Sequence, residues 1–254
     1  PWTSRVSPTA AGMLNAVGLQ GPGVETWRRE TLPRLRTTGA RVVVSIWGRR
    51  LEDYALAAAQ LAGVGDEVAA VEINLSCPNL EGRAGIFAHD VELSIEVVRA
   101  AAVCGRPLWA KLSPNTDRLV EVAGAVAQAG AEAVTLINTM RGMSFVEPGL
   151  RPSLGNGAGG LSGRAIHPIA LRAVYEVHAA LPGLPIVGVG GVTTGLEAHA
   201  MMAAGASAVQ VGTATFADPR ACAHVQDELD VIVTSRGLHS WSSIVGCAHG
   251  DGHR

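Results

Sequence analysis

Short apolar, β-branched runs recur along the chain, each closed by a glycine-rich or polar turn and followed by a stretch whose apolar residues return at helical spacing. Six such runs are predicted as strands: 41–46, 70–75, 107–112, 133–137, 185–189 and 208–211. Helical patterns lie between them, among them 118–129 and 166–181, where Ile166, Ala170, Val174 and Val177 fall on one face. Strands apolar on both faces and joined by helices imply an α/β protein with a parallel sheet, either doubly wound or closed into a barrel.

The polar residues choose between these. Asn74 and Cys77, Lys111, Asn138 and Thr139, Gly190-Gly191, and Gly212-Thr213 all stand at the C-terminal ends of predicted strands. A doubly wound sheet gathers ligand contacts at one switch point, whereas a barrel brings every strand end to one mouth. The expected fold is therefore a single-domain TIM (β/α)8 barrel over 1–254. Its glycine-rich ends would be strands seven and eight, where such barrels build phosphate sites. The six strands would then be three to eight, with about the first two expected upstream of Pro1. The connection from Met140 to Pro185 is long for a βα turn, and its part from Arg141 to Gly157 is expected to act as a lid.

Composition narrows the partners. The 254 residues are 48% hydrophobic and 17% charged, with a net charge of −2, which suits a globular domain and offers no basic surface for nucleic acid or anionic membrane. No apolar run is long enough to span a bilayer and no signal peptide opens the chain, so it reads as cytoplasmic. Cys77, Cys104, Cys222 and Cys247 have no metal-ligand spacing. Cys104 and Cys222 are expected to pack and Cys247 to be solvated; His249 and His253 lack companion ligands, so no metal is expected. Arginine supplies all the basic residues but one, and the exception is Lys111. Solvated lysines are readily exchanged for arginine, but a site that needs a compact ammonium is not so tolerant.

Candidate chemistry sits in three kinds of segment. Gly159-Gly160-Leu161-Ser162-Gly163, expected as a turn opening a helix, joins Gly190-Gly191 and Gly212-Thr213 as places where backbone amides could meet a phosphate. Asn74-Leu75-Ser76-Cys77-Pro78-Asn79 sets a thiol between two carboxamides. Asn138, Thr139 and Asn15 add groups that donate and accept, which suits a planar amide or imide substrate.

Taken in order, Asn74 to Asn79 (NLSCPN), Lys111 to Asn115 (KLSPN), Ile137 to Thr139 (INT), GGLSG, GVGG and VGTA resemble the dihydroorotate dehydrogenase family from about Arg5 to Pro219. Cys77 places the likeness in class 1, and Glu81 to Phe87 leans to the NAD-linked subclass 1B. The resemblance implies FMN-dependent oxidation of dihydroorotate to orotate in pyrimidine (UMP) biosynthesis. Cys77 matches the base that takes the C5 proton, while hydride leaves C6 for the flavin. Asn15, Ala16, Val17, Gly18, Leu19, Asn74, Asn79, Asn138 and Thr139 match substrate-binding positions. Lys111 matches the lysine beside the flavin N1–O2 edge; Ser45, Asn74, Ile137, Gly163, Gly190, Gly191, Gly212 and Thr213 match other FMN positions. Subclass 1B further implies a homodimer core with a partner subunit carrying FAD and a [2Fe–2S] cluster, through which electrons reach NAD.

Two departures stand out. Ser45 occupies a position where the family often has asparagine, and a second family lysine would lie upstream of Pro1. The isolated chain is accordingly expected to be poorly active. The competing readings are a dihydropyrimidine dehydrogenase-like flavin domain, a Schiff-base lyase or aldolase using Lys111, and an inactive barrel fragment.

Overall fold

All six predicted strands form, within two residues of their expected ends: Val42–Ile46, Val68–Asn74, Leu108–Lys111, Ala133–Leu136, Ile186–Val189 and Ala208–Gln210. The computed structural model describes residues 4–76, 78–79, 85–86, 90–238 and 240–250. The chain divides into two compact units, Leu19–Val134 and a second made of Pro1–Gly18 with Thr135–Arg254.

In the unit Leu19–Val134, strands Val42–Ile46, Val68–Asn74 and Leu108–Lys111 run parallel in that order, separated by helices Leu51–Leu61 and Val91–Ala101 and followed by Leu119–Gln128. The register pairs Val44 with Val71, Ile46 with Ile73, Val71 with Leu108 and Ile73 with Ala110, so these side chains share one face. Helix residues Tyr54, Ala58, Val97, Val98, Val122 and Val126 are buried with them. The opposite face carries Ser45, Glu72, Asn74, Trp109 and Lys111, paired as Ser45 with Glu72, Glu72 with Trp109 and Asn74 with Lys111. Two-residue periodicity thus sorts the sheet into a core side and a polar side. The helices begin where acids can cap them: Asp90 Oδ1 accepts the Leu93 N–H at 3.1 Å, and the Asp53 carboxylate accepts the Arg49 and Arg50 amides at 2.8 and 3.1 Å.

In the other unit, Ile186–Val189 runs parallel to Ala208–Gln210, and helices His167–Ala180, Gly195–Ala203 and Ala221–Ser235 follow the same strand–helix rhythm. Thr194 and Glu197 form a capping box at the start of Gly195–Ala203. A four-stranded antiparallel sheet, in the order Val6–Thr9, Gly12–Asn15, Gly159–Ser162, Met140–Gly142, was not expected. It corrects one sequence expectation and adds detail to another. Gly159–Ser162 is a strand with neighbours on both sides rather than a glycine turn, and the helix begins only after Gly163. Arg141 lies in a paired strand, and a hairpin, Phe145–Val146 with Arg151–Pro152, lies within the segment expected to act as a lid. Glycine explains the close approach: a Cβ on Gly159 would stand 2.4 Å from the Asn15 carbonyl oxygen, and one on Gly160 would stand 2.3 Å from Thr139 Oγ1.

Cys104 is buried and Cys247 exposed, as expected; Cys222, expected to pack, is instead exposed, its side chain lying off the helix stripe of buried Ala221, Val225 and Leu229. No helix among the described residues is long and apolar enough to cross a membrane, and no cluster of three metal-ligating side chains occurs among them.

Candidate active site

In the unit Leu19–Val134, candidate groups gather at the C-terminal ends of the parallel strands. Asn74 is buried and tied in place twice. Its Oδ1 accepts the Ser76 N–H at 3.1 Å, turning the chain into the cysteine loop, and its carbonyl oxygen accepts the hydroxyl of the fully buried Tyr54 at 2.8 Å. One strand over, Lys111 Nζ lies 3.4 Å from Glu72 Oε1. The turn after Lys111 is fixed by the buried Ser113, whose Oγ accepts from the Asn115 backbone N–H at 3.2 Å and from its Nδ2 at 3.0 Å. Asn79 belongs to a short strand, Pro78–Asn79, antiparallel to Gly85–Ile86. Cys77, the expected base, lies outside the described residues. Ser45 is on the polar strand face and exposed, and Leu19 is exposed with a φ of +55°.

In the other unit the candidate groups are two carboxamides, hydroxyls and glycine backbone. Asn15 Nδ2 donates to the Gly160 carbonyl at 3.3 Å, so the substrate-position asparagine and the glycine strand are joined directly. Asn138 Oδ1 accepts the Thr139 N–H at 2.7 Å. Ile137 is buried and its amide donates to the Val189 carbonyl at 2.8 Å. Ala16 donates its amide to Arg5, whereas Val17 and Gly18 are exposed.

The glycine turns are close-packed. Gly163 and Gly191 have φ of +90° and +67°, and a Cβ on Gly191 would stand 2.7 Å from the Gly163 carbonyl oxygen and 2.9 Å from His167 Cβ. Gly190, with φ +145°, has Ala170 Cβ 2.5 Å from where its own Cβ would be, and its carbonyl accepts His167 Nδ1 at 2.9 Å. Thr213 Oγ1 donates to Ser162 Oγ at 2.8 Å. Gly212 differs from these: nothing lies within 4 Å of a Cβ placed on it, so its missing side chain leaves open space beside a backbone amide.

Sequence reasoning did not single out Glu72, Tyr54 or His167, and it took Ser162 only as part of a glycine segment. The signal for Glu72 was present, as the lone charge in the otherwise apolar run Val68–Asn74. Tyr54, Ser162 and His167 act through positions brought together only by folding.

Strand–helix units with carboxamides, a lysine and glycine turns at strand ends define the class, an α/β enzyme with its ligand groups at the carboxyl ends of parallel strands. The chain belongs to the dihydroorotate dehydrogenase family, whose model matches residues 3–233. It is 42% identical over 245 residues to a protein of Geobacter sp. (strain M21) named dihydroorotate dehydrogenase B (NAD(+)), catalytic subunit, covering 96% of this chain and 80% of the relative. Proteins of the same name from Desulforudis audaxviator and Alkaliphilus oremlandii are 43% and 40% identical over 249 and 251 residues, covering 98% and 97% of this chain and 80% and 82% of theirs.

Proposed function

We propose that this protein oxidises dihydroorotate to orotate as the FMN-carrying catalytic subunit of an NAD-linked dihydroorotate dehydrogenase. The observation that carries this reading is the likeness, along nearly the whole chain, to relatives bearing that name. The parallel strand–helix units are read as those of a (β/α)8 barrel.

The residues present fit a flavin mononucleotide. Gly163, Gly190, Gly191, Gly212 and Thr213 suit its phosphate, since the open space at Gly212 leaves an amide that an anion can approach. Lys111, Asn74, Ser45 and Ile137 suit the ring. When bound, the flavin supplies a hydride acceptor at N5.

The protein's own contribution is positioning and proton transfer. Asn15, Asn74, Asn79, Asn138 and Thr139, with the segment Ala16 to Leu19, hold the pyrimidine and its carboxylate. The Cys77 thiolate takes the C5 proton as hydride departs from C6, so two electrons and two hydrogens leave the substrate in balance. The Lys111 ammonium would stand beside the flavin ring edge and offset negative charge there. A partner subunit carrying FAD and a [2Fe–2S] cluster would connect this subunit to NAD. The catalytic chains are read as a homodimer.

Donor selectivity tests this reading against the dihydropyrimidine alternative. The FMN-loaded protein should be reduced anaerobically by dihydroorotate and not by dihydrouracil. Reduction by dihydrouracil alone would replace the proposed substrate, and trapping of a substrate on Lys111 by borohydride would favour the lyase.

A further inference from the structure

A carboxylate in the middle of an apolar strand is costly to bury unless it is paired. Glu72 is such a group, 5% exposed between Val71 and Ile73, which are both fully buried. Its partner is Lys111, reached across neighbouring strands at 3.4 Å. The register places Asn74, not Glu72, directly opposite Lys111, so the ion pair runs diagonally along the polar strand face.

The pair differs from the other ion pairs of this unit. Arg29–Glu30, Arg36–Glu67, Arg106–Asp66 and Arg118–Glu121 all use arginine, and each includes a side chain at least about half exposed. Glu72 and Lys111 have side chains only 6% and 20% exposed, and this pair alone uses lysine. The carboxylate is the deeper member and the ammonium the shallower one. A lysine on a flexible four-carbon stem has many positions open to it, and a buried anion removes most of them. An ammonium has three N–H donors, so pairing with a carboxylate is compatible with donation to a further acceptor.

We propose that Glu72 is a positioning residue that holds the Lys111 ammonium where it can serve the flavin ring edge, a role that rests on the FMN reading above. In this role Glu72 acts through Lys111. The arrangement accounts for the survival of a single lysine in an arginine-rich chain, because the fork of an arginine would not occupy the same point beside Glu72.

The test begins on flavin-free protein with 15N-labelled lysine. The Nζ cross-peak of Lys111 is identified as the one that Lys111→Arg removes, and it is followed in Glu72→Gln and Glu72→Asp. The expected result is that Glu72→Gln shifts the peak and speeds its exchange with water. Glu72→Asp, which keeps the charge on a shorter arm and guards against a variant that fails to fold, should shift it less. FMN affinity, measured next by fluorescence quenching, should fall about tenfold in Glu72→Gln, as for loss of one charge-assisted contact, and recover in part in Glu72→Asp. An unmoved cross-peak in folded Glu72→Gln, or unchanged FMN affinity, would overturn the proposal. Native protein that binds no FMN would overturn the flavin reading instead, while the flavin-free cross-peaks still decide the tether.

Discussion

The candidate groups of the two units are made from different material. In Thr135–Arg254 with Pro1–Gly18 they are uncharged: glycine backbone, small hydroxyls and the carboxamides of Asn15 and Asn138, with the glycines held by close approaches such as that of Gly191 to the Gly163 carbonyl. In Leu19–Val134 they are ionised and carboxamide side chains on one strand face, held by Tyr54, Ser76 and the pairing of Glu72 with Lys111. Backbone groups suit an anion that must simply be bound, since glycine amides are fixed by the fold and carry no titratable charge. Side chains suit chemistry, because their charge, reach and protonation can be set one residue at a time. The difference teaches that glycine substitutions in the first unit should act on cofactor affinity, whereas side-chain substitutions in Leu19–Val134 should divide between rate, at Cys77, and the flavin ring, at Lys111 and Glu72.

The comparison is tested most severely at Cys77. Cys77→Ala should slow flavin reduction by dihydroorotate by about 10²–10⁴-fold, the usual contribution of a general base, with FMN affinity unchanged in the same preparation. Equal losses of rate and affinity would break the division of labour. The next effect is on stability. Lys111→Met leaves the Glu72 carboxylate buried without its ammonium, and denaturant unfolding should show a loss of about 3 kcal/mol, part of which Lys111→Met/Glu72→Gln restores. A double variant no more stable than the single one would count against the pair as the cause.

Two glycines sharpen the other side. Gly191→Ala demands a positive φ of an alanine and a Cβ in contact with Gly163 and His167, so it should cost about 1–3 kcal/mol of stability. Gly212→Ala meets no protein atom and should leave stability within about 0.5 kcal/mol. Its FMN affinity should nonetheless fall, because the added methyl enters the space read as the phosphate site; titration of FMN into both variants separates the effects.

The smallest expected effect is on pH dependence. Burial, and then the neighbouring Arg236, holds the His199 imidazole below its usual 6.5; burial, and then His249, does the same for His178. The unfolded chain therefore takes up protons first as pH falls. The stability these two contribute is complete above about pH 6.5 and is lost below it. Melting temperature should drop between about pH 7 and pH 5, and His199→Gln should flatten that slope. An unaltered slope would assign the dependence elsewhere.

Much of this was legible in the sequence because parallel βα units leave strong marks. The run Val42–Ile46 and the helix His167–Ala180 are set by local pattern, and the polar residues closing each strand pointed to the site before any coordinates. The antiparallel sheet was not legible. Gly12–Asn15 and Gly159–Ser162 are too short and too glycine-rich to show two-residue alternation, and their pairing joins segments well over a hundred residues apart. Glu72 is the instructive intermediate case. A charge inside an apolar strand marks it as unusual, but only the folded side chains, meeting diagonally across the register, show that it pairs with Lys111.

The most direct measurement is anaerobic addition of dihydroorotate to the FMN-loaded intact gene product while its visible flavin absorbance is followed. The account predicts that the flavin band bleaches with one equivalent of orotate formed per flavin, and that Cys77→Ala binds FMN equally well but bleaches far more slowly. A native protein whose bound flavin stays oxidised under dihydroorotate would contradict it.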